Sequence, residues 1–103
     1  MLIKLLDEIE RTLRPGGFII LETPNPENFM VGSCTFYTDP THRNPIPSQT
    51  LEFLLEARGF ADVKIWKLRP WEDAKLEGDT ELVQRFNEFF YSAPDYGIIA
   101  QKP

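Results

Sequence analysis

The residues able to do chemistry in this chain of 103 residues are few, and most fall between positions 22 and 43. His42 is the sole histidine, with Asp39, Thr41 and Arg43 around it in a proline-rich stretch. Imidazole is the side chain whose ordinary pKa lies nearest neutrality, which suits a general base or a substrate ligand. The competing role is structural, a ring hydrogen-bonded to the loop backbone that holds its shape. Upstream, Glu22-Thr23-Pro24-Asn25 closes an apolar run. Glu22 can bind an amine of a substrate or cofactor, or it can cap local amides. Thr23, Asn25, Tyr37 and Arg43 complete the candidate substrate contacts. Asn25, between two prolines, also has the character of a turn residue, and Phe36 and Tyr37 can serve a core as well as a pocket wall.

Several kinds of chemistry are excluded. Lys and Arg number 11 against 16 Asp and Glu, a net charge of −5. That balance argues against a nucleic-acid surface, which needs a basic stripe, and against a polybasic membrane anchor. No apolar run approaches the ~20 residues of a membrane span. The single cysteine, Cys34, allows no internal disulfide, and a reducing cytoplasm is the expected compartment. One His and one Cys cannot close a zinc site of four protein ligands, so no metal is expected.

The elements that must position these residues follow from periodicity. Leu2, Leu5, Leu6, Ile9 and Leu13 recur at helical spacing, and Arg14-Pro15-Gly16-Gly17 stops that helix. Phe18-Ile19-Ile20-Leu21 is continuously apolar, which predicts a strand covered on both faces. Most of residues 24–47 should be ordered loop. Ser48 is placed to cap the next helix, whose stripe is Leu51, Leu54 and Leu55 and whose end is Arg58-Gly59-Phe60. Residues 61–68 alternate as a strand, and 69–78 is loop. Trp66 and Trp71 flank that loop. They can stack on a sugar, but packing is the commoner use of such rings. A third helix begins at Asp79 or Thr80, with Leu82, Val83, Phe86, Phe89 and Phe90 predicted on its buried face. Tyr96 to Gln101 is a closing strand. The whole of residues 1–103 makes one α/β subdomain.

Three segments carry a resemblance. The run from Leu5 to Gly17, ending Leu13-Arg14-Pro15-Gly16-Gly17, is similar to the helix and turn before the fifth strand of class I S-adenosylmethionine-dependent methyltransferases. Leu51 to Phe60, ending Ala57-Arg58-Gly59-Phe60, is similar to the family helix that ends Ala-Gly-Phe. Tyr96 to Lys102 resembles the last strand and its Lys-Pro ending. Glu22-Thr23-Pro24-Asn25 and Asp39-Pro40-Thr41-His42 look most like bacterial members linked to polysaccharide or glycan assembly. The resemblance implies a partial Rossmann-like fold: a three-stranded mixed sheet in the family order 5-7-6 with about three helices. It implies the acceptor side of a methyltransferase, with His42 as catalytic candidate and Glu22, Thr23, Asn25, Tyr37 and Arg43 as substrate contacts.

The chain departs from the family at the cofactor. A nucleoside site needs a glycine-rich turn after a strand, so that the backbone can approach, and an acid for the ribose hydroxyls. None of the six glycines forms a Gly-x-Gly pattern. S-adenosylmethionine belongs to the complete fold, and none is expected on this chain alone. The strand at 18–22 would then be an exposed edge, apolar on both sides, that invites pairing. Its expected partner is a second copy or a complementing N-terminal half. An alternative function is a noncatalytic module, or a truncated remnant, that associates through that edge.

Overall fold

The computed structural model describes residues 2–41 and 44–103. Helix α1 (Leu2–Thr12) leads into strand β1 (Phe18–Pro24), then the short helix α2 (Phe29–Ser33) and a 3-10 turn at Thr35–Thr38. Helix α3 (Ser48–Ala57), strand β2 (Ala61–Leu68), a 3-10 turn at Glu72–Ala74, helix α4 (Glu81–Phe90) and strand β3 (Asp95–Gln101) complete the chain. The sheet order is β1-β3-β2, matching the expected 5-7-6 arrangement. Both pairings are antiparallel, with Ile19 opposite Ala100 on one side of β3 and Ile65 opposite Ile98 on the other. With β3 between them, β1 and β2 run the same way without touching, so the sheet is antiparallel throughout, not mixed as expected.

Alternation along the strands creates the core. Ile19 of β1 and Tyr96, Ile98 and Ala100 of β3 point to one face. Leu6 of α1, with Leu51 and Leu55 of α3, covers them, and Phe60 closes the cluster. Helix α3 ends as its Arg-Gly-Phe signal predicts. Gly59 takes φ +82°, its amide reaches the Glu56 carbonyl at 2.9 Å, and the Phe60 amide reaches Leu55 at 3.1 Å. This is the paired bonding of a Schellman cap, and it drives Phe60 back into the core.

The end of α1 is tied to the end of the chain. Gly16, at φ +83°, donates to the Lys102 carbonyl at 2.7 Å, and Lys102 donates back to Gly17 at 2.8 Å. The Lys102 ammonium then reaches the carbonyls of Glu10 and Leu13, the orphan acceptors at the C-terminus of α1. A cation there also opposes the negative end of the helix dipole. Lys102→Met keeps the apolar stem and deletes the donors, and should cost about 1–2 kcal/mol. Urea titration checks this: a lower midpoint at unchanged slope is expected, whereas an unmoved midpoint would remove the cap from the account.

Five further expectations need correction. The helices are more than the expected three or so, because Asn28 starts a helical turn within 24–47 that residue spacing does not reveal. Its addition makes four α-helices among the described residues. Ser48 does not cap α3. It is the first helical residue, after Pro47, and its hydroxyl donates instead to Glu27. The apolar positions of α4 are not a buried face, since no residue of α4 is buried and Leu82 is 79% exposed. Neither tryptophan packs in a core; Trp66 and Trp71 are both exposed.

The last correction concerns β1. Its second face is open: Phe18 is 57% and Ile20 73% exposed. The core helices α1 and α3 both lie on the Ile19 face, so nothing in the described residues covers the other.

Candidate functional site

Strands β1 and β2 run the same way, so their carboxyl ends lie together beside the start of β3. Open α/β sheets bind ligands outside the carboxyl ends of their strands. A cleft of about 310 Å³ opens at that end. The buried Asn25 and Ala93, with Ser92, form its floor, and Glu27, Lys67 and, from α4, Glu88 and Phe89 line its walls.

The floor is held by asparagines. The Asn25 carboxamide donates to the Ala93 carbonyl at 2.9 Å and accepts from the Glu27 amide at 3.2 Å. The Asn25 amide itself donates to Pro94 at 2.8 Å. Asn28 caps α2 by accepting from Met30 and Val31, and its amide nitrogen donates to Phe90 and Ser92. Both side chains are buried, and together they bind the segment after β1 to the connection between α4 and β3. These contacts bring Glu27 to the same cleft as the end of α4.

Glu27 and Lys67 form the charged wall. Lys67 Nζ lies 2.9 Å from Glu27 Oε2, and Ser48 Oγ donates to Glu27 Oε1 at 2.8 Å. The hydrogen bond from Lys67 holds the Glu27 carboxyl below the usual carboxylate range, outweighing partial burial, with Ser48 adding to the effect. Glu27 is therefore a carboxylate at neutral pH, oriented by two donors. The Lys67 ammonium also sits 5.6 Å from the ring centroid of Tyr96. Such a pair offers a fixed anion and a cation to a polar ligand, and the exposed ring of Phe89 adds an apolar surface to the same cleft.

A second charged group lies at the same end of the sheet. Arg69 reaches Glu22 at 2.6 Å and Asp95 at 3.2 Å. The bond to Glu22 raises the arginine pKa still further. Arg69 holds φ +57°, the left-handed region that non-glycine residues rarely adopt, which marks the sharp exit from β2. Arg69 and Glu22 are more than half exposed and Asp95 is partly so, so the contact orients charges more than it stabilises the fold.

The candidates from the sequence divide accordingly. Glu22 is engaged by Arg69, and Thr23 is a half-buried β1 residue opposite Tyr96. Asn25 lines the cleft, but its carboxamide is committed to backbone partners. Tyr37 is exposed on the 3-10 turn, edge-on to Phe36 at 5.2 Å, and does not line the cleft. His42 and Arg43 lie outside the described residues; just before them, Thr41 folds onto Asp39 through bonds of 2.9 and 2.6 Å. Glu27, Lys67, Glu88 and Arg69 were not picked out from the sequence, and Phe89 was expected in the core and not at a site. Position after a strand was the available signal for Glu27. No spacing links it to Lys67, which is 40 residues away.

The glycines test whether a nucleoside cofactor fits this chain. Gly16 and Gly59 end helices, and a Cβ on Gly32 would meet the Pro26 carbonyl oxygen at 2.6 Å, so that glycine serves a close packing contact. Gly97 lies within β3, and Gly78 precedes α4. Gly78 alone lies between the carboxyl end of a strand and a helix, and no second glycine stands in that connection, so no glycine-rich turn among the described residues fits the group. Among them, no group of three or more His, Cys, Asp or Glu could hold a metal ion, and no helix is long and apolar enough to cross a membrane.

The sheet order, with α1 and α3 on one face and the cleft at the strand ends, defines a partial α/β domain. Comparison with solved structures makes the class specific. The chain is similar to an S-adenosylmethionine-dependent methyltransferase from Archaeoglobus fulgidus, with 32% sequence identity and a TM-score of 0.81. The likeness covers 98% of this chain and 52% of that one, so the chain spans about half the length of the protein it matches. The fold is that of a partial methyltransferase domain. No family model and no curated protein matches the chain.

Proposed function

We propose that this chain is the acceptor-side portion of an S-adenosylmethionine-dependent methyltransferase, working in the cytoplasm and dependent on another polypeptide segment for the cofactor. The supporting observation is the likeness to the A. fulgidus enzyme along nearly the whole chain, with a cleft at the strand ends where an acceptor would lie. In the complete fold the bound cofactor supplies an electrophilic methyl group. This chain's residues bind and orient the acceptor. Glu27, fixed as a carboxylate by Lys67 and Ser48, accepts a hydrogen bond from an acceptor hydroxyl or amine and aligns it. Phe89 offers an apolar surface in the same cleft. His42 remains the proposed base, with Glu22, Thr23, Tyr37 and Arg43 as outer contacts.

Two calorimetric titrations with S-adenosylmethionine test the proposal. The chain alone should give no binding heat. A chimera in which it replaces the matching portion of the A. fulgidus enzyme should bind the cofactor. Binding by the chain alone, or a folded chimera that fails to bind, would overturn the assignment. A second reading, a noncatalytic interaction module, is favoured by one observation: β1 pairs on one side only.

A further inference from the structure

The cleft at the strand ends carries an imbalance of charge that the fold leaves standing. Its lining holds two carboxylates, Glu27 and Glu88, and one ammonium, Lys67. Lys67 is spent on its own surroundings. Its Nζ donates to Glu27 Oε2 at 2.9 Å and to Ser48 Oγ at 3.4 Å, and it lies over the ring of Tyr96. Glu88 has no such partner. Arg85, one turn earlier on α4, turns to Glu81 at 2.8 Å, and no cation among the described residues pairs with Glu88. The cleft therefore keeps one negative charge without a counter-charge.

The rest of the lining does not offset it. On the floor, the Ala93 and Ser92 carbonyls already accept from Asn25 and Asn28, so the fold has met those groups itself. What remains for a ligand is the Glu88 carboxylate, the outward lone pairs of Glu27, the Ser92 hydroxyl and the half-exposed ring of Phe89. Carboxylates only accept hydrogen bonds, a hydroxyl can accept or donate, and the face of an aromatic ring attracts cations. An anion would meet like charge here, and a neutral alcohol would leave Glu88 uncompensated. At about 310 Å³ the cleft is at the small end of ligand sites, which suits one small molecule.

We infer that this cleft selects its ligand by a protonated amine: a small organic ammonium compound, with its N–H groups donated to the cleft carboxylates and its hydrocarbon body against Phe89. The inference rests on the reading of the cleft as the acceptor site, and it names the class of acceptor that the site would take. It concerns recognition alone, with no bond made or broken. The ammonium supplies the counter-charge that Glu88 lacks and the donors that the carboxylates need. The net charge of −5 on the whole chain also favours the approach of a cation.

Three probes of one ring size that differ in charge test the inference: cyclohexylamine, cyclohexanol and cyclohexanecarboxylate. Each is titrated into the isotope-labelled chain near neutral pH at low salt and followed by amide NMR. The amine should give saturable shifts at the residues lining the cleft. The alcohol should bind about tenfold more weakly, and the carboxylate should give no saturable shift there. Glu88→Gln keeps the shape of an exposed side chain that holds nothing in the fold, and should weaken amine binding about two- to fivefold. Glu56→Gln, an exposed acid on α3 outside the cleft, should leave it unchanged. Amine binding that is absent, no tighter than that of the alcohol, or indifferent to Glu88→Gln would overturn the inference. These titrations contain no S-adenosylmethionine and no second segment, so their outcome is separate from that of the cofactor titrations.

Discussion

Asn28→Ala should lower the unfolding free energy by roughly 2–4 kcal/mol, a large share of what a domain of this size possesses. The side chain is fully buried and makes four hydrogen bonds. Its oxygen caps α2 by accepting from Met30 at 3.0 Å and Val31 at 3.3 Å; alanine at such a cap costs about 0.5–2 kcal/mol. Its nitrogen donates to Ser92 at 2.7 Å and Phe90 at 3.3 Å, at the end of α4. Alanine leaves those carbonyls without this donor, and an unmet buried polar group costs about 1–3 kcal/mol. The melting temperature should fall by roughly 10–30 °C. Asn28→Ser retains a capping oxygen but cannot span to Ser92, so it should recover only the cap's share. Thermal denaturation followed by circular dichroism reads both variants. A melting point within a degree or two of wild type for Asn28→Ala would show that the latch between α2 and the α4–β3 connection contributes little.

Tyr96→Phe should cost about 1–2 kcal/mol at neutral pH, and the cost should shrink in alkali. Tyr96 is fully buried at the centre of the sheet, and its hydroxyl donates to the Ile46 carbonyl at 2.7 Å. Phenylalanine keeps the ring and its packing but leaves that carbonyl without its donor. Burial, aided by the nearby charge of Glu27, pushes the phenol up to about 12 from an ordinary 10.0. The folded state therefore holds the proton more tightly than the unfolded chain. The stability arising from that difference is complete below pH 10 and is lost as pH rises through about 12. The phenylalanine variant lacks this titration, so the gap between the two proteins should narrow across that window. Urea unfolding of both proteins at pH 8 and at successive steps above pH 10 measures it. A gap that stays constant would mean that Tyr96 does not titrate as its burial requires.

Local sequence determined what depends on contacts between near neighbours. The helical stripe of Leu2 to Leu13, the Arg-Pro-Gly-Gly stop, the Arg-Gly-Phe cap and the alternation of 61–68 each specify an element without outside help, and the structure has those elements in place. The likeness to a methyltransferase was legible for the same reason, because it rests on those short segments and their order. Tertiary structure decided the rest. An apolar strand reads alike whether one face or both are covered, and only the placement of α1 and α3 on one side shows that Phe18 and Ile20 are open. Ser48 looked like a cap because its own neighbours permit it, yet a carboxylate 21 residues away takes its hydroxyl. The cleft wall of Glu27 and Lys67, the Arg69 contact with Glu22 and Asp95, and the Asn28 latch all join residues distant in the chain. Hydrogen bonds and ion pairs act over a few ångströms of space, not over sequence spacing, so such partners appear only once the sheet has brought the strand ends together.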